Sequence, residues 1–470
     1  MKRLSRRLMQ SWLALGPRYL PFADVATPDL PLGRLLRLSL FQVSVGMALV
    51  LLVGTLNRVM IVELDVPASI VGVMLALPLV FAPFRALIGF QSDHHRSALG
   101  WRRVPFIWRG TLWQFGGFAF MPMALLVLAG RGESGNLPVW IGQASAALSF
   151  LLVGIGIHMT QTAGLALATD LTPRESHPKV VGLMYVMLLL GMLVSSLAFG
   201  LALVDFSSGR LIQVIQSAAL LTMILNGVAM WKQETRDPAR GRAPPGPDPS
   251  FRESWRTFCA GEDTIRRLAL IGLGTMAFGM ADVLLEPFGG HVLGFTVSAT
   301  TRLTALVALG GLIGFAWAAH RCGRGANAYG VARNGALIGI PAFLFVMTAA
   351  PVDMPGLFLL GNFLIGFGGA LFAHGTLTAT MNRATGDQVG LALGAWGAVQ
   401  ATAVGLGMAL SGIIRDVVNA TQSAPADASA AENVAAGYLT VYSLEIALLV
   451  VVIIVSLPLL GRRELNNPLR

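Results

Sequence analysis

The chain has 470 residues, of which 54% are hydrophobic and only 12% are charged. A soluble domain carries about twice that fraction of charged residues, so the composition excludes an ordinary soluble protein. We interpret the net charge of +10 mostly as the excess of arginine and lysine on the cytoplasmic side of a membrane protein, with some affinity for anionic lipid, and no nucleic-acid-binding motif accompanies it.

The chain begins with a basic segment, residues 1–37. This segment lacks the continuous apolar core and the small-residue cleavage site of a secretory signal peptide. We interpret it as a cytoplasmic arm, in which residues 11–20 form an amphipathic stretch suited to the membrane surface.

Twelve apolar runs follow the arm, and each is long enough to cross a bilayer as a helix. They are predicted at residues 38–62, 68–90, 104–129, 139–167, 180–204, 211–231, 265–288, 298–319, 331–350, 355–381, 388–413 and 437–460. Arginine and lysine concentrate in one set of connections, while the opposite set holds little beyond Arg131, Arg210 and Arg415. Since positive charge marks the cytoplasmic side, both termini are predicted to face the cytoplasm.

A hydrophilic connection rich in proline and in charges of both signs divides these spans into two groups of six. The predicted organisation is an N-terminal bundle at 38–231, a cytoplasmic linker at 232–264, a C-terminal bundle at 265–460 and a cytoplasmic tail at 461–470. This is the layout of the major facilitator superfamily. The predicted fold is thus an all-α membrane protein with twelve transmembrane helices in two pseudosymmetric six-helix bundles.

A charged loop between spans two and three supports this fold. The sequence GFQSDHHRSALGWRR resembles the loop motif of the superfamily, with Gly89, Asp93, Gly100, Arg102 and Arg103 at its positions, although HHRSAL lengthens the spacing. Glycine permits close helix contact, and the acidic and basic groups would form a cytoplasmic latch between helices. An ordinary charged turn is the alternative interpretation.

The two halves also share a glycine pattern in spans four and ten. Gly154 and Gly156 align with Gly366 and Gly368, which indicates twofold pseudosymmetry. The histidines do not follow the repeat, because His374 falls opposite an alanine and His158 has no counterpart.

Several long blocks make the chain similar to a specific family. The stretches ALPLVFAPFRALIGFQSD, LGWRRVPFIWRGT, HMTQTAGLALATDL and FGMADVLLEPFGG resemble the PucC/LhaA family of light-harvesting complex assembly proteins in purple bacteria, also called the bacteriochlorophyll delivery family. The resemblance runs from about residue 30 to residue 460.

This resemblance implies a multi-pass protein of the bacterial inner, photosynthetic membrane that assists insertion of antenna α and β polypeptides. It also implies bacteriochlorophyll, bound without a covalent bond, as the cofactor, with carotenoid as a further candidate. Pigment-synthesis enzymes and the insertion machinery are candidate partners beside the light-harvesting polypeptides. Whether the core or the peripheral antenna is served does not follow from the resemblance.

Four polar residues within the predicted spans are the candidates for an intramembrane polar network. Asn57 and Arg58 are in span one, and Asp282 and Glu286 share one face of span seven. Buried carboxylates can load and release protons in a transporter, but they can equally form a structural pair, for example Arg58 with Glu286.

Two intramembrane histidines are the candidates for pigment binding. Neutral imidazole is a suitable fifth ligand for the magnesium of a chlorin, and His158 and His374 each lie near glycines that keep the helix surface low. Gly154 would leave room for the ring, and Gln161 and Thr162 would bind its carbonyl groups or orient the imidazole. A histidine bonded to a neighbouring helix is the alternative in both cases.

No enzyme motif accompanies these residues, since the sequence has no phosphate loop, nucleophile elbow or metal-binding His-Glu pair. Apart from the magnesium of a pigment, no metal site is expected in the protein alone. Together with the role that the resemblance implies, this predicts a non-enzymatic antenna assembly factor that binds and delivers bacteriochlorophyll. A secondary transporter of a small amphipathic solute is the alternative.

Overall fold

The computed structural model describes residues 31–80, 88, 92, 101–130, 137–173, 177–234, 263–383, 389–421 and 430–460. Within these residues the regular structure is helical. The helices are α1 Leu32–Glu63, α2 Ala68–Val80, α3 Val104–Leu128, α4 Val139–Asp170, α5 His177–Ala202, α6 Ser208–Met230, α7 Thr264–His291, α8 Val297–Gly323, α9 Ala328–Thr348, α10 Pro355–Arg383, α11 Val389–Thr421 and α12 Ala430–Leu460.

Eleven of these helices are long and apolar enough to cross a membrane, and α2 adds a shorter apolar helix within the described residues. Polar side chains begin several of them at the connections. Ser207, Thr296 and Asn327 each accept a hydrogen bond from a backbone N–H in the first turn of α6, α8 and α9, respectively. Such N-caps satisfy donors that have no partner inside the helix, so the helix starts follow from local sequence.

Helix α1 begins earlier than the sequence predicts, at Leu32 rather than at residue 38. Leu35 and Leu38 are fully buried, and Arg34 donates to the backbone carbonyl of Gln233 at the end of α6 at 2.7 Å. The last residues assigned to the arm are therefore part of the helical bundle. Packing against α6, rather than hydropathy, extends the helix.

The second half of α1 is wound more widely than an α-helix. Segments Val50–Leu56 and Val59–Glu63 are π-helical, and the N–H of Asn57 donates to the carbonyl of Leu52, five residues earlier. π-Helical turns are rare and concentrate at functional sites. Here they flank Asn57 and Arg58, two residues selected from the sequence.

Contacts between the halves join α2 to α11 and α5 to α8. Glycine brings α2 and α11 close together, because a Cβ at Gly72 would overlap the carbonyl of Met408 and a Cβ at Gly412 would overlap that of Ala68. Two hydrogen bonds hold α5 on α8, from Ser196 to the carbonyl of Thr301 and from Ser298 to that of Gly200. These contacts lie toward the end of the bundle at which α1 ends and α2 begins, which we call the closed end.

Candidate functional site

A cavity of about 290 Å³ lies between the two halves, and we call it the central cavity. Helices α1, α2, α4 and α5 form its walls on one side, and α7, α8, α10 and α11 form them on the other. Most of the lining is aliphatic. The polar side chains in the lining are His158, Asp282, Glu286, Thr304 and Asn362.

A second cavity of about 290 Å³ adjoins the first, and we call it the aromatic cavity. It lies between α5 and helices α7, α8, α10 and α11. Its lining includes His374 and five aromatic side chains, those of Tyr185, Phe278, Phe315, Phe372 and Trp396. Met192, Asp282, Val307 and Val404 line both cavities, so the two cavities meet at these four residues.

His374, the second histidine predicted from the sequence, lines the aromatic cavity. Its ring lies edge-on to that of Phe315, with the centroids 4.6 Å apart and an interplanar angle of 75°. Its Nδ1 is buried and has no hydrogen-bond partner among the residues that the structure describes. A buried polar atom without a partner is costly, and the His374 residue that carries this one lines the aromatic cavity.

His158 is half-buried and lines the central cavity. Gly154 lines the same cavity, but the reason for glycine there differs from the expected low floor for a ring. A Cβ at Gly154 would overlap the side chain of Pro78 in α2, so this glycine permits α2 and α4 to cross. A larger residue would separate these helices as well as fill the cavity.

The other two predicted pigment residues are not among those that line either cavity. The Nε2 of Gln161 donates to the Oε1 of Gln42 in α1, at 3.4 Å. Thr162 follows on the same helix and is half-buried. The structure therefore groups His158 with Gly154, places His374 in the neighbouring cavity, and directs Gln161 toward α1.

The predicted polar network forms between α1 and α7, with partners that were not all expected. Asn57 donates to the backbone carbonyl of Val283 in α7 at 2.8 Å. Glu286 accepts from the hydroxyl of Thr304 in α8 and lines the central cavity. Asp282, one turn before Glu286, lines both cavities.

Arg58 is only 4% exposed and bonds Glu63 of its own helix, rather than making the expected ion pair with Glu286. It also donates to the carbonyl of Phe295, after α7, at 3.1 Å. An arginine presents several donors, so one side chain can serve both acceptors. The hydrogen bond from Arg58 to Phe295 joins the two halves near the closed end.

Part of the predicted latch is visible. Gly89, Asp93 and Gly100 lie outside the described residues, so the role of Asp93 stays a prediction. Arg102 and Arg103 both contact Asp170 at the end of α4, at 2.5 and 3.0 Å.

Sequence analysis gave no role to Asp170, and it also missed Glu234. The carboxylate of Glu234 accepts hydrogen bonds from the backbone N–H groups of Arg102, Arg103 and Val104, at 2.7 to 3.1 Å. It thereby caps α3 from a position just after α6, and an acidic group is favourable at a helix N-terminus. No local pattern could reveal this, since the cap is more than a hundred residues away in sequence.

Comparison with proteins of known sequence identifies relatives along most of the chain. The PUCC protein family model matches residues 55–464. Protein PucC of Rhodovulum sulfidophilum is 61% identical over 426 residues, which cover 90% of this chain and 94% of that protein. Protein PucC of Cereibacter sphaeroides is 55% identical over 454 residues, covering 97% and 98%, respectively.

Among solved structures, the nucleoside transporter NupG superposes with a TM-score of 0.64 at 14% sequence identity, covering 92% of this chain and all of that one. At this identity the likeness concerns the fold alone, and it confirms the all-α major facilitator architecture expected from the sequence. The family match and the close relatives go further: the chain is a multi-pass membrane protein that belongs to the PucC family.

Proposed function

We propose that this protein is an assembly factor for bacterial light-harvesting antenna complexes, which holds bacteriochlorophyll between its two bundles and assists insertion of the antenna α and β polypeptides. The observation that carries the proposal is His374, whose buried Nδ1 has no partner among the described residues and which lines an aromatic cavity in a PucC-family chain. Carotenoid is a second pigment to be sought in the same preparation.

The residues of the aromatic cavity fit a chlorin. The pigment would supply a magnesium ion, for which a neutral imidazole is a suitable ligand, and His374 would hold it. Aromatic side chains offer flat apolar surfaces that suit a macrocycle. Trp396 is held in place by a hydrogen bond from its Nε1 to the hydroxyl of Thr376, at 3.2 Å, so part of the wall is organised before any ligand binds.

His158 would serve the same pigment from the central cavity, by a hydrogen bond or as the alternative magnesium-binding residue. The two cavities have about 290 Å³ each, so together they fall within the roughly 300–1,000 Å³ typical of small-molecule sites. No chemical step is part of the proposal, because binding and release of pigment need no catalytic group. The protein is thus proposed to be a carrier and not an enzyme.

The proposed location is the inner, photosynthetic membrane, with both termini in the cytoplasm. The excess of positive charge would bind anionic lipid on that side. Light-harvesting polypeptides are the proposed main partners, and pigment-synthesis enzymes or the insertion machinery are further ones. Reporter domains inserted at residues 243–250 and 423–431 test the orientation, and the first should report the cytoplasm and the second the periplasm.

The decisive test is the absorption spectrum of the protein purified from a phototrophic host. We expect near-infrared pigment and antenna polypeptides to copurify with the wild type. His374→Leu should lose most of the pigment at equal protein yield, while His320→Leu, on the exposed end of α8, should keep it. A colourless wild-type protein, recovered from cells that make pigment, would contradict the proposal.

A secondary transporter of a small amphipathic solute is the second candidate function. It is favoured by the fold and by Glu286, a buried carboxylate that lines the cavity between the halves. In this case Glu286→Gln should abolish proton-dependent uptake into vesicles. Unchanged uptake in that variant would show that Glu286 is not the coupling carboxylate.

A further inference from the structure

We infer that the two cavities divide one ligand between them: the aromatic cavity takes the flat ring of a tetrapyrrole, and the central cavity takes its long aliphatic tail. The protein would then select the tail-bearing pigment over the same ring without a tail. This inference rests on the proposed function, and it adds which compartment recognises which part of the ligand.

The aromatic cavity has the lining expected for a ring. Phe278 and Phe372 lie with centroids 6.2 Å apart, and Phe315 is edge-on to His374. Gly369 lies in the same lining, and a Cβ there would meet only the ring of Phe278, at an ordinary contact distance of 3.6 Å. This glycine is thus not needed for close helix packing, and the space above it belongs to the cavity.

The central cavity has a different lining. It is dominated by branched and unbranched aliphatic side chains, which offer no flat surface: Leu49, Leu52, Val53, Leu75, Leu79, Ile157, Met192, Leu285, Leu303, Val307, Val404 and Met408. Phe150 is its one aromatic residue among those that line it. A flexible hydrocarbon chain can follow such a surface more closely than a rigid ring can, and it gains dispersion contacts along its length.

The residues that line both cavities favour one ligand that occupies both over two separate ligands. Met192, Val307 and Val404 border both spaces, so an occupant of one cavity lies next to the other. A ligand with a flat end and an aliphatic end matches an aromatic lining that continues into an aliphatic one. Asp282 is the carboxyl group that lines both compartments, so it would lie near the junction of ring and tail.

Selection for the tail must come from fit, because lipid is as apolar as the cavity and supplies no hydrophobic driving force. In a fitted apolar pocket even one methylene group changes affinity roughly ten- to two-hundredfold. We therefore expect bacteriochlorophyll to bind at least about tenfold more tightly than bacteriochlorophyllide, the ring without its ester tail.

The experiment titrates purified protein in lipid nanodiscs with each of these two pigments and follows the shift of their absorption bands. Gly369→Leu fills the aromatic cavity and should weaken both pigments equally. Val53→Phe narrows the central cavity and should weaken bacteriochlorophyll alone, so that the preference for the tail is lost. Val194→Phe adds the same bulk on the exposed surface of α5 and should change neither.

Thermal unfolding of each variant controls for misfolding, and Leu49→Phe, in the same lining, replaces Val53→Phe if the latter does not fold. Equal affinity of the wild type for the two pigments, or equal weakening of both by the central-cavity variant, would overturn the division of the ligand while leaving pigment binding intact. Absence of binding by either pigment would overturn the proposed function itself, and this inference with it.

Discussion

Helices α4 and α10 occupy equivalent places in the two halves, and their glycines make equivalent contacts. Gly154 packs against α2 and Gly366 packs against α8, where Cβ atoms would overlap Pro78 and the carbonyl of Val307. Two residues further along each helix, Gly156 packs against α3 and Gly368 packs against α9. The repeat seen in the sequence is therefore a repeat of helix crossings.

The equivalence ends where the side chains face the cavities. Gly164 packs against Phe41 of α1, while Gly375, its partner in the alignment, packs against Ala332 of α9. His158 and His374 accordingly lie in different cavities, one with an aliphatic lining and one with an aromatic lining. The comparison shows that the scaffold is symmetric and that the candidate site is not.

A second asymmetry lies at the ends of these helices. Asp170 ends α4 and binds Arg102 and Arg103, whereas the aligned residue near the end of α10 is Met381. The N-terminal half thus has an ionic contact between α3 and α4 that the C-terminal half cannot copy with this residue. Three experiments test how far symmetry and asymmetry extend.

The largest effect is expected at the repeated crossings. Gly156→Val and Gly368→Val should each destabilise the fold by about 1–3 kcal/mol, because the added carbons overlap backbone atoms of the neighbouring helix. Gly116→Val and Gly397→Val are the matched controls, since a Cβ at either position meets nothing within 4 Å. Thermal unfolding in detergent measures the difference. A large loss for one crossing and none for the other would break the proposed equivalence of the halves.

The next effect concerns the two histidines. If His374 is the magnesium ligand, His374→Leu should lower pigment affinity by at least the roughly 10–100-fold that loss of a supporting partner costs a metal site. His158→Leu should lower it less, because the aliphatic cavity contacts a different part of the ligand. Titration with pigment in nanodiscs measures both. The reverse order of effects would assign the ligand to the N-terminal half.

The smallest effect is expected for the ionic contact. Asp170→Asn should destabilise the protein by about 1 kcal/mol, a low value for charged hydrogen bonds because the Asp170 side chain is 33% exposed. Arg103→Gln loses this contact and also its hydrogen bond to Ser92. The double variant should therefore lose less than the sum of the two single losses, by the coupling energy of the Arg103–Asp170 contact. Additive losses in thermal unfolding would show that the contact carries no coupling energy.

The helices themselves could be predicted from the sequence. Runs of apolar residues set the spans within a few residues, because each helix must satisfy its own backbone hydrogen bonds in lipid. Three ends lie further out than predicted: α1 begins at Leu32 rather than 38, α11 ends at Thr421 rather than 413, and α12 begins at Ala430 rather than 437. At α1, burial of Leu35 against neighbouring helices extends the helix beyond the hydrophobic run. The family could also be predicted from the sequence, because long stretches of the chain are similar to it.

The candidate site could be predicted only in part from the sequence. Hydropathy and motif could select His158, His374 and Glu286 as unusual polar residues in apolar helices. They could not show that His374 faces an aromatic cavity, since the lining comes from α5, α7, α8, α10 and α11. Nor could they show that Glu234 caps α3, because that contact joins residues more than a hundred positions apart.

The sequence by itself thus determined the membrane class, the twelve helices, the twofold repeat and the family. These properties depend on local composition and on periodicity along one helix, which the chain carries in order. Only the tertiary structure decided that Gly154 serves a helix crossing, that Arg58 binds Glu63, and that the two histidines lie in different cavities. Those outcomes depend on the relative rotation of helices distant in sequence, which is set by how their side chains pack together.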